Sequence, residues 1–197
     1  MVIENTQDEE LIRRYYAADQ EALKVIFQRH KEGLFNFALR FSGNRADAED
    51  AVSHTFMMVC EKRYTIKPGA SFKTWAYAVA RNSCLSKMRT GAKFFPLWSS
   101  KNDSGHEGPI DVIDPQGIAR DQLDQKEIAV LLQKAINKLG PQQKEALLLR
   151  EYQGFSYEEI AQVLQCSLEK VKVLIFRARS YLKEALPPVL LGEGELK

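Results

Sequence analysis

Hydrophobic residues recur at spacings of three and four along most of this chain, which is the pattern of amphipathic helices. In the first half the pattern predicts helices over residues 8–17, 19–41, 46–63 and 72–89. In the second half it predicts helices over residues 118–139, 141–152, 156–164 and 167–186. No segment alternates convincingly between apolar and polar residues, so no strand is expected. The predicted fold class is all-α, with two small helical domains joined by a flexible linker.

A long break in the helical pattern divides the chain into two domains. The segment is rich in glycine, proline and serine, and connections of this length are uncommon inside compact domains. We expect a first domain over residues 1–90, a linker over 91–122, a second domain over 123–186 and a loose tail over 187–197. The segment Phe94–Trp98 is too apolar for a free linker, so we expect it to dock on a domain or on a partner.

The segment from Phe155 to Arg179 predicts two short helices separated by a tight turn. Ser156 and Glu159 have the spacing of a capping box, which marks a helix start, and Ser167 is suited to cap the second helix. The second helix has an apolar stripe surrounded by cations, namely Lys170, Lys172, Arg177, Arg179 and Lys183. This combination suits a helix that packs on its own domain and lies in a DNA major groove. The alternative is an ordinary helix pair with a solvated basic face.

The distribution of charge supports a nucleic-acid partner more than the total charge does. The chain has 197 residues, is 45% hydrophobic and has a net charge of +2. Residues 85–101 contain four cations and no acid, residues 102–127 contain seven acids and two cations, and residues 168–183 contain five cations and one acid. This order suggests two nucleic-acid faces joined by a segment that does not bind.

Other classes of site and location have little support in the sequence. The three cysteines, Cys60, Cys84 and Cys166, are far apart and form no zinc motif. An odd cysteine count without a signal peptide suggests a reducing cytoplasm. No apolar run reaches the roughly 20 residues that span a membrane, so we expect no membrane insertion. The phosphate-binding, metalloprotease and serine-hydrolase motifs are absent. We therefore expect no enzyme activity, metal or cofactor.

Two stretches together resemble a known family. Residues 47–51 (Asp-Ala-Glu-Asp-Ala) with Phe56, followed by residues 72–75 (Phe-Lys-Thr-Trp) and 80–82 (Ala-Arg-Asn), resemble region 2 of bacterial RNA polymerase sigma factors. Residues 139–150 and 154–161 are similar to region 4. The order, spacing and chain length match the extracytoplasmic-function branch, which retains only those two regions.

The resemblance implies a promoter-specificity subunit that binds core RNA polymerase and promoter DNA. In the family, region 2 binds the polymerase clamp and opens the −10 element, and region 4 reads the −35 element. The polymerase-binding residues implied are Asp47, Glu49, Asp50 and Phe56. Those implied at −10 are Tyr64, Lys67, Lys73, Trp75, Tyr77, Arg81, Asn82, Lys87 and Arg89. Those implied at −35 are Ser156, Tyr157, Ser167, Lys170, Lys172, Val173, Arg177 and Arg179.

The residue types at the −10 positions suit DNA melting. Unpaired bases stack on aromatic rings at about 1–3 kcal/mol each, while cations bind the phosphates. Trp75 and Tyr77 supply rings beside such cations, and the loop of residues 64–71 corresponds to the family loop that captures a flipped base. Two alternatives stay open. Trp75 also suits the core, and the acids near Asp47 also suit a helix start because the macrodipole favours acids there.

Several residues depart from the family pattern. Gln165 stands where a glycine is usual in the turn, Glu169-Lys170 stand where Gly-Thr is usual, and Val173-Leu174 stand where Ser-Arg is usual. Replacing that arginine by Leu174 would forfeit a phosphate or guanine contact, and a guanine contact is worth about 1–3 kcal/mol of discrimination. The promoter sequence is therefore not predictable from the family pattern.

Two competing interpretations stay open, and the departures at Glu169 and Leu174 motivate the first of them. One is a sigma-like decoy that binds an anti-sigma factor without directing transcription. The other is a helix–turn–helix repressor whose first half senses a ligand. The family is commonly held inactive by an anti-sigma factor, so such a factor is an expected partner, although the sequence does not identify one.

Overall fold

The fold is described by a computed structural model that covers residues 6–64, 71–93 and 122–186, with side chains described for 6–64, 71–88 and 128–186. Within these ranges the secondary structure is entirely helical. The helices of the first half are α1 (Asp8–Tyr16), α2 (Gln20–Ser42), α3 (Arg45–Cys60) and α4 (Phe72–Lys93). Those of the second half are α5 (Gln122–Asn137), α6 (Pro141–Glu151), α7 (Tyr157–Leu164) and α8 (Leu168–Ala185). The all-α prediction is confirmed for the described residues.

Short polar and glycine signals set the helix boundaries of the first half. The Asp19 side chain accepts hydrogen bonds from the backbone N–H groups of Glu21 and Ala22, as an N-cap does. Gly43 ends α2 in the left-handed conformation, with φ of 71°. Asn44 caps α3 by accepting a hydrogen bond from the N–H of Asp47. Each of these bonds lies within three residues along the chain, so local sequence is enough to place it.

Two helix ends within the described residues differ from the predictions by three residues or more. Helix α3 ends at Cys60 rather than near Arg63, because Lys62 adopts a left-handed conformation with φ of 57°, which an α-helix cannot continue through. Helix α4 continues to Lys93, three residues into the predicted linker. The apolar segment Phe94–Trp98, whose docking was predicted, lies outside the described residues.

Helices α1–α4 pack around a shared core. Helix α2 contacts α1, α3 and α4, and its buried face includes Ile26, Leu34 and Phe37. The buried His30 ring lies 2.6 Å from the Asp8 carboxylate, and Glu9 accepts a hydrogen bond from the backbone N–H of Phe72 at 2.8 Å. These contacts attach α1 to both α2 and the start of α4.

The second half is organised around α6. Its residues Lys144–Leu149 are all buried, and the helix contacts α7 and α8. The predicted apolar stripe of α5 is only partly internal, because Ala135 and Ile136 are buried whereas Ile128 and Leu131 are exposed. Helical spacing therefore located α5 correctly but overestimated how much of it the core covers.

The two halves pack against each other. Helix α6 contacts α2, and α7 contacts α4. The buried residues of both halves form one continuous hydrophobic cluster, in which the rings of Tyr77 and Phe155 meet edge to face at 4.9 Å. In this arrangement the helix–turn–helix segment is held against the first half of the chain.

The turn between α7 and α8 gives a testable prediction. Gln165 ends α7 with φ of 53°, a left-handed conformation that disfavours residues with a Cβ atom. Gln165→Gly should raise the free energy of unfolding by about 0.5–1 kcal/mol, because glycine adopts this conformation without strain. The matched control, Gln162→Gly inside α7, should lower it by a similar amount. Urea denaturation of both variants measures the two changes, and the same sign for both would contradict the assignment of strain to Gln165.

Candidate functional site

The outer face of α8 is a solvent-exposed surface with several cations. Inward, Val171, Ile175 and Ala178 are buried against the second half. Ser167 caps the helix by accepting a hydrogen bond from the N–H of Lys170 at 3.2 Å. The exposed side chains of this face include Lys170, Lys172, Val173 and Arg177. The buried stripe therefore sets the rotation of α8 and directs these candidate −35 residues to solvent.

Helix α7 is positioned by the predicted capping box. The N–H of Glu159 donates to the Ser156 hydroxyl at 3.1 Å, and the N–H of Ser156 donates to the Glu159 carboxylate at 2.7 Å. The guanidinium of Arg150 lies 5.0 Å from the centroid of the Tyr157 ring, within cation–π range. Ser156 and Tyr157 thus lie at the start of α7, and both are partly buried.

Arg179 differs from the other cations of α8 because it has an internal partner. Its guanidinium bonds the Glu151 carboxylate at 2.6 and 3.1 Å. The pair is exposed, so it contributes little to stability and Arg179 can exchange Glu151 for another anionic partner. Arg177, two residues earlier, is exposed and pairs with no acid of the described chain.

The aromatic candidates of the first half separate into two groups. Trp75 packs with Tyr64 and Phe72, at centroid distances of 5.1 and 5.8 Å. Tyr64 is buried, and burial raises its pKa to about 12. Tyr77 lies elsewhere on α4, with its ring against Phe37 at 5.4 Å and its hydroxyl directed at the second half. The structure therefore does not place Trp75 and Tyr77 in one groove.

Three of the candidate −10 residues contact the second half of the chain. The Tyr77 hydroxyl donates to the Gln153 side-chain carbonyl at 2.5 Å. The Lys73 ammonium donates to the Gln153 backbone carbonyl at 3.1 Å and lies 4.2 Å from the centroid of the Phe155 ring. Arg81 pairs with Glu145 at 3.0 Å. All three side chains project from α4 toward the α6–α7 unit.

The Arg81–Glu145 pair is deeply buried. The Glu145 side chain is 1% exposed and that of Arg81 is 14% exposed. Burial raises the pKa of Glu145, and the nearby Arg81 charge opposes that shift. Asn82, beside Arg81, is exposed and accepts a hydrogen bond from it at 3.2 Å. A buried acid of one half is thus matched with a cation of the other.

Lys144 forms a second polar connection between the halves. Its ammonium donates to the backbone carbonyl of Phe41 at 2.9 Å and to the Asn137 side chain at 2.8 Å. Burial lowers its pKa from 10.5 to about 8, because a low-dielectric environment disfavours the charged form. The first contact joins α6 to the end of α2, and the second joins α6 to the end of α5.

The acids at the start of α3 form ion pairs within the first half. Lys87 pairs with both Asp47 and Asp50, and Glu49 pairs with Arg45 at 2.9 Å. The structure therefore brings the candidate −10 residue Lys87 next to two candidate polymerase-binding acids. Lys67 and the side chain of Arg89 lie outside the described residues.

Phe56 has little exposed surface of its own. It is 8% exposed, and its ring meets that of Phe27 edge to face at 4.8 Å. Met57, the next residue, is 50% exposed. Phe27, at 38% exposed, and Met57 are thus more accessible to a partner than Phe56 itself.

The described residues offer little support for other kinds of site. No group of three or more histidine, cysteine, aspartate or glutamate side chains among them is arranged to bind a metal ion. Within the described helices, none has both the length and the apolarity needed to cross a bilayer.

Comparison with known proteins decides the family. The family model for sigma-70 region 2 matches residues 26–94, and the model for sigma-70 region 4 matches residues 129–182. The RNA polymerase sigma-H factor of Pseudomonas aeruginosa is 27% identical over 186 residues, which cover 93% of this chain and 96% of that protein. The extracytoplasmic-function sigma factor SigM of Mycobacterium tuberculosis is 27% identical and covers 91% of this chain and 84% of its own length.

A solved structure agrees. The sigma factor RpoE of Bartonella quintana, in complex with the anti-sigma factor NepR, superposes with a TM-score of 0.60 at 26% identity, covering 87% of this chain and 98% of that one. This chain belongs to the sigma-70 family, in its extracytoplasmic-function branch. It is therefore a transcription initiation factor of bacterial RNA polymerase.

The region 2 match in this sigma factor begins within α2, at residue 26, and includes α3 and α4. The region 4 match begins within α5, at residue 129, includes α6 and α7, and ends within α8, at residue 182. Sequence reasoning missed Phe176, which is 71% exposed on α8 between Val173 and Arg177. The sequence could have indicated it, because Phe176 lies outside the apolar stripe of Val171, Ile175 and Ala178 and is therefore directed away from the core. Sequence reasoning also missed Lys144, Glu145 and Gln153. Contacts between residues that are far apart along the chain produce no recognisable spacing in the sequence.

The lowered pKa of Lys144 predicts a pH dependence of stability. Between pH about 8 and 10.5 the unfolded chain keeps a proton on this lysine that the folded protein has lost. Stability rises with pH wherever the unfolded state binds more protons, so the cost of burying this charge falls across that window. The free energy of unfolding of the wild type minus that of Lys144→Met should therefore rise from pH 8 to 10.5. Below pH 8 this difference should stay constant.

Chemical denaturation at a series of pH values measures this difference. The control is Lys138→Met, which removes an exposed lysine of the same region and should follow the wild-type profile throughout. Parallel profiles for the wild type and Lys144→Met above pH 8 would contradict the burial of the Lys144 charge.

Proposed function

We propose that this sigma factor directs core RNA polymerase to promoters by three surfaces of its own chain. A region 2 domain over residues 1–90 binds polymerase and opens the −10 element, and a region 4 domain over residues 123–186 reads the −35 element. Residues 91–122 act as the linker, and residues 187–197 as a tail. The observation that supports this most directly is the outer face of α8, where exposed cations flank exposed apolar side chains.

The −35 element is read by α8 in the major groove. Lys170, Lys172 and Arg177 contact phosphates or base edges, and their exposure requires no rearrangement. Val173 and Phe176 are exposed apolar groups of the kind that contact the methyl group of thymine. Ser156, Tyr157 and Ser167 lie at the helix starts, where backbone N–H groups also favour phosphate. Arg179 joins them by exchanging Glu151 for a phosphate.

Polymerase is bound by the α2–α3 surface. The apolar group of Phe27, Phe56 and Met57 supplies contact area, and the acids Asp47, Glu49 and Asp50 at the start of α3 supply charge. An apolar centre with a charged rim is the usual composition of a protein–protein interface. Phe56 contributes only through the edge that Phe27 leaves uncovered.

The −10 element is bound by α4 and its neighbouring loop. Trp75 packs with Tyr64, and Lys87 pairs with acids of α3, whereas Lys73, Tyr77 and Arg81 contact region 4 in this structure. The roles of Lys67 and Arg89 rest on the family resemblance alone.

We also propose an anti-sigma factor as a partner. The RpoE structure of Bartonella quintana is a complex with the anti-sigma factor NepR, and this chain has the same fold. The proposal includes a cytoplasmic location, where polymerase acts, and no enzymatic activity of the chain itself. Catalysis of RNA synthesis belongs to the core enzyme.

Run-off transcription tests the function. Core polymerase alone and core polymerase with this protein are compared on promoter fragments selected by the holoenzyme, and a transcript that requires this protein is expected. A decoy would bind an anti-sigma factor but yield no transcript. A repressor would bind DNA without co-purifying with core polymerase. Either result would contradict the proposal.

The α8 face predicts two different responses to mutation. Arg177→Ala should reduce the slope of log affinity against log salt by about 0.9, because one phosphate contact is lost. Phe176→Ala should leave that slope unchanged but reduce the preference for thymine at one position, because an apolar base contact releases no counterion. Fluorescence anisotropy with a duplex selected by the wild type measures both.

Arg13→Ala is the control for this pair, because it removes an exposed arginine from α1, far along the chain from α8. It should change neither the slope nor the base preference. An unchanged slope in Arg177→Ala would remove that residue from the DNA interface.

A further inference from the structure

Helix α1 lies outside the region 2 match, yet it contacts a group of packed aromatic rings in region 2. The match begins at residue 26, whereas α1 spans Asp8–Tyr16. The rings of Tyr64, Phe72 and Trp75, here called the ring cluster, pack together at centroid distances between 5.1 and 5.8 Å. Tyr64 and Phe72 are buried, whereas Trp75 is partly exposed. Trp75 is therefore the member of the cluster that is accessible to an unpaired base.

Glu9, in the first turn of α1, fixes the start of α4. Its carboxylate accepts a hydrogen bond from the backbone N–H of Phe72 at 2.8 Å. Phe72 is the first residue of α4, where backbone N–H groups have no partner within their own helix. The first turn of α4 contains no acid, so Glu9 supplies the negative charge that the helix macrodipole favours there. Because Trp75 is three residues further along the same helix, this contact also sets the position of its ring.

Tyr16, the last residue of α1, fixes a second member of the cluster. Its hydroxyl donates to the backbone carbonyl of Tyr64 at 3.2 Å. The Lys62 ammonium donates to the backbone carbonyl of Tyr16 at 3.4 Å and lies 5.6 Å from the centroid of its ring. Lys62 has a left-handed backbone with φ of 57°. Such strained conformations persist where the surrounding contacts determine them, and Tyr16 supplies two of these contacts.

The two anchoring residues are themselves held at a fixed separation. Glu9 and Tyr16 are seven residues apart, which corresponds to about 10 Å along a helix axis. The start of α1 is attached to α2, because the Asp8 carboxylate lies 2.6 Å from the His30 ring. That ring in turn meets Phe72 edge to face at 5.3 Å. Helix α1 therefore connects two members of the ring cluster through a short element that is packed on α2.

We propose that Glu9 and Tyr16 are positioning residues for base recognition at the −10 element. They hold the ring cluster so that Trp75 stacks on an unpaired base, and neither of them contacts the DNA. This rests on the proposed function, because the stacked base belongs to the opened −10 strand. A stacking contact requires a ring that its supporting residues hold in place, whereas a long flexible cation follows a phosphate over a range of positions. Loss of either anchor should therefore weaken base recognition and leave backbone binding intact.

The test uses holoenzyme assembled from core RNA polymerase and the full-length chain. The probe is a fluorescent single-stranded oligonucleotide with the −10 element that the wild-type holoenzyme selects, and a series of probes carries an abasic site at each position in turn. At the stacked position, removal of the base should weaken wild-type binding by at least about fivefold. The same removal should have no effect on Trp75→Leu, which identifies the position that this ring contacts.

Tyr16→Phe removes only the hydroxyl group and keeps the ring. It should weaken binding of the intact oligonucleotide by about three- to tenfold, as expected for the loss of one hydrogen bond. Binding of the oligonucleotide that is abasic at the stacked position should stay unchanged. The ratio of the two affinities is the decisive quantity, because a general loss of structure would weaken both probes equally.

Three further variants keep the test decisive. Tyr15→Phe removes a hydroxyl from the neighbouring residue of α1 and should match the wild type on both oligonucleotides. Glu9→Ala removes the acceptor of the Phe72 N–H group and should show the same base-specific loss as Tyr16→Phe. Glu9→Gln keeps a carbonyl acceptor at this position and should restore most of the affinity ratio. If Glu9→Ala does not fold, Tyr16→Phe decides the outcome.

The outcomes separate this inference from the proposed function. An unchanged affinity ratio in Tyr16→Phe would overturn the inference, whether both affinities fall together or neither changes. A wild-type holoenzyme that supports run-off transcription but shows no position that depends on Trp75 would overturn it as well, while the proposed function would stand. Failure of the wild type in run-off transcription would instead contradict the proposed function.

Discussion

Helix α6 buries six consecutive residues, and two of them, Lys144 and Glu145, are charged. Buried charges are costly unless they have partners. For Glu145 the described partner is Arg81, and for Lys144 one of two partners is the carbonyl of Phe41. Both of these groups belong to region 2. The two charged side chains of α6 can therefore be buried at low cost only while region 2 supplies these partners.

The same helix supports α8 from its other side. Helix α6 contacts α8, whose buried stripe includes Val171 and Ile175 and leaves Lys172 and Arg177 outside. One short helix thus supports the candidate −35 face of α8 and also carries Glu145, which pairs with Arg81 of α4. The outer face of α8 is therefore exposed, while Lys73, Tyr77 and Arg81 of α4 contact region 4.

Much of the fold was predictable because its signals are local. Asp19, Ser156 and Ser167 cap helices through backbone groups two or three residues away, and spacings of three and four residues place the helices themselves. Predictions weakened where burial depends on distant elements. The stripe of α5 has the expected spacing, yet Ile128 and Leu131 are exposed because no helix of the described chain covers them.

The sequence by itself determined the helices, their caps and the cationic composition of α8 and α4. Only the tertiary structure decided which cations have partners, since Arg177 faces solvent whereas Arg81 meets a buried acid. It also decided that Tyr77 contacts Gln153, 76 residues further along the chain, while Trp75 packs with Tyr64. Helical periodicity reports the side of a helix on which a residue lies, but the packing partner of that side depends on how distant helices assemble.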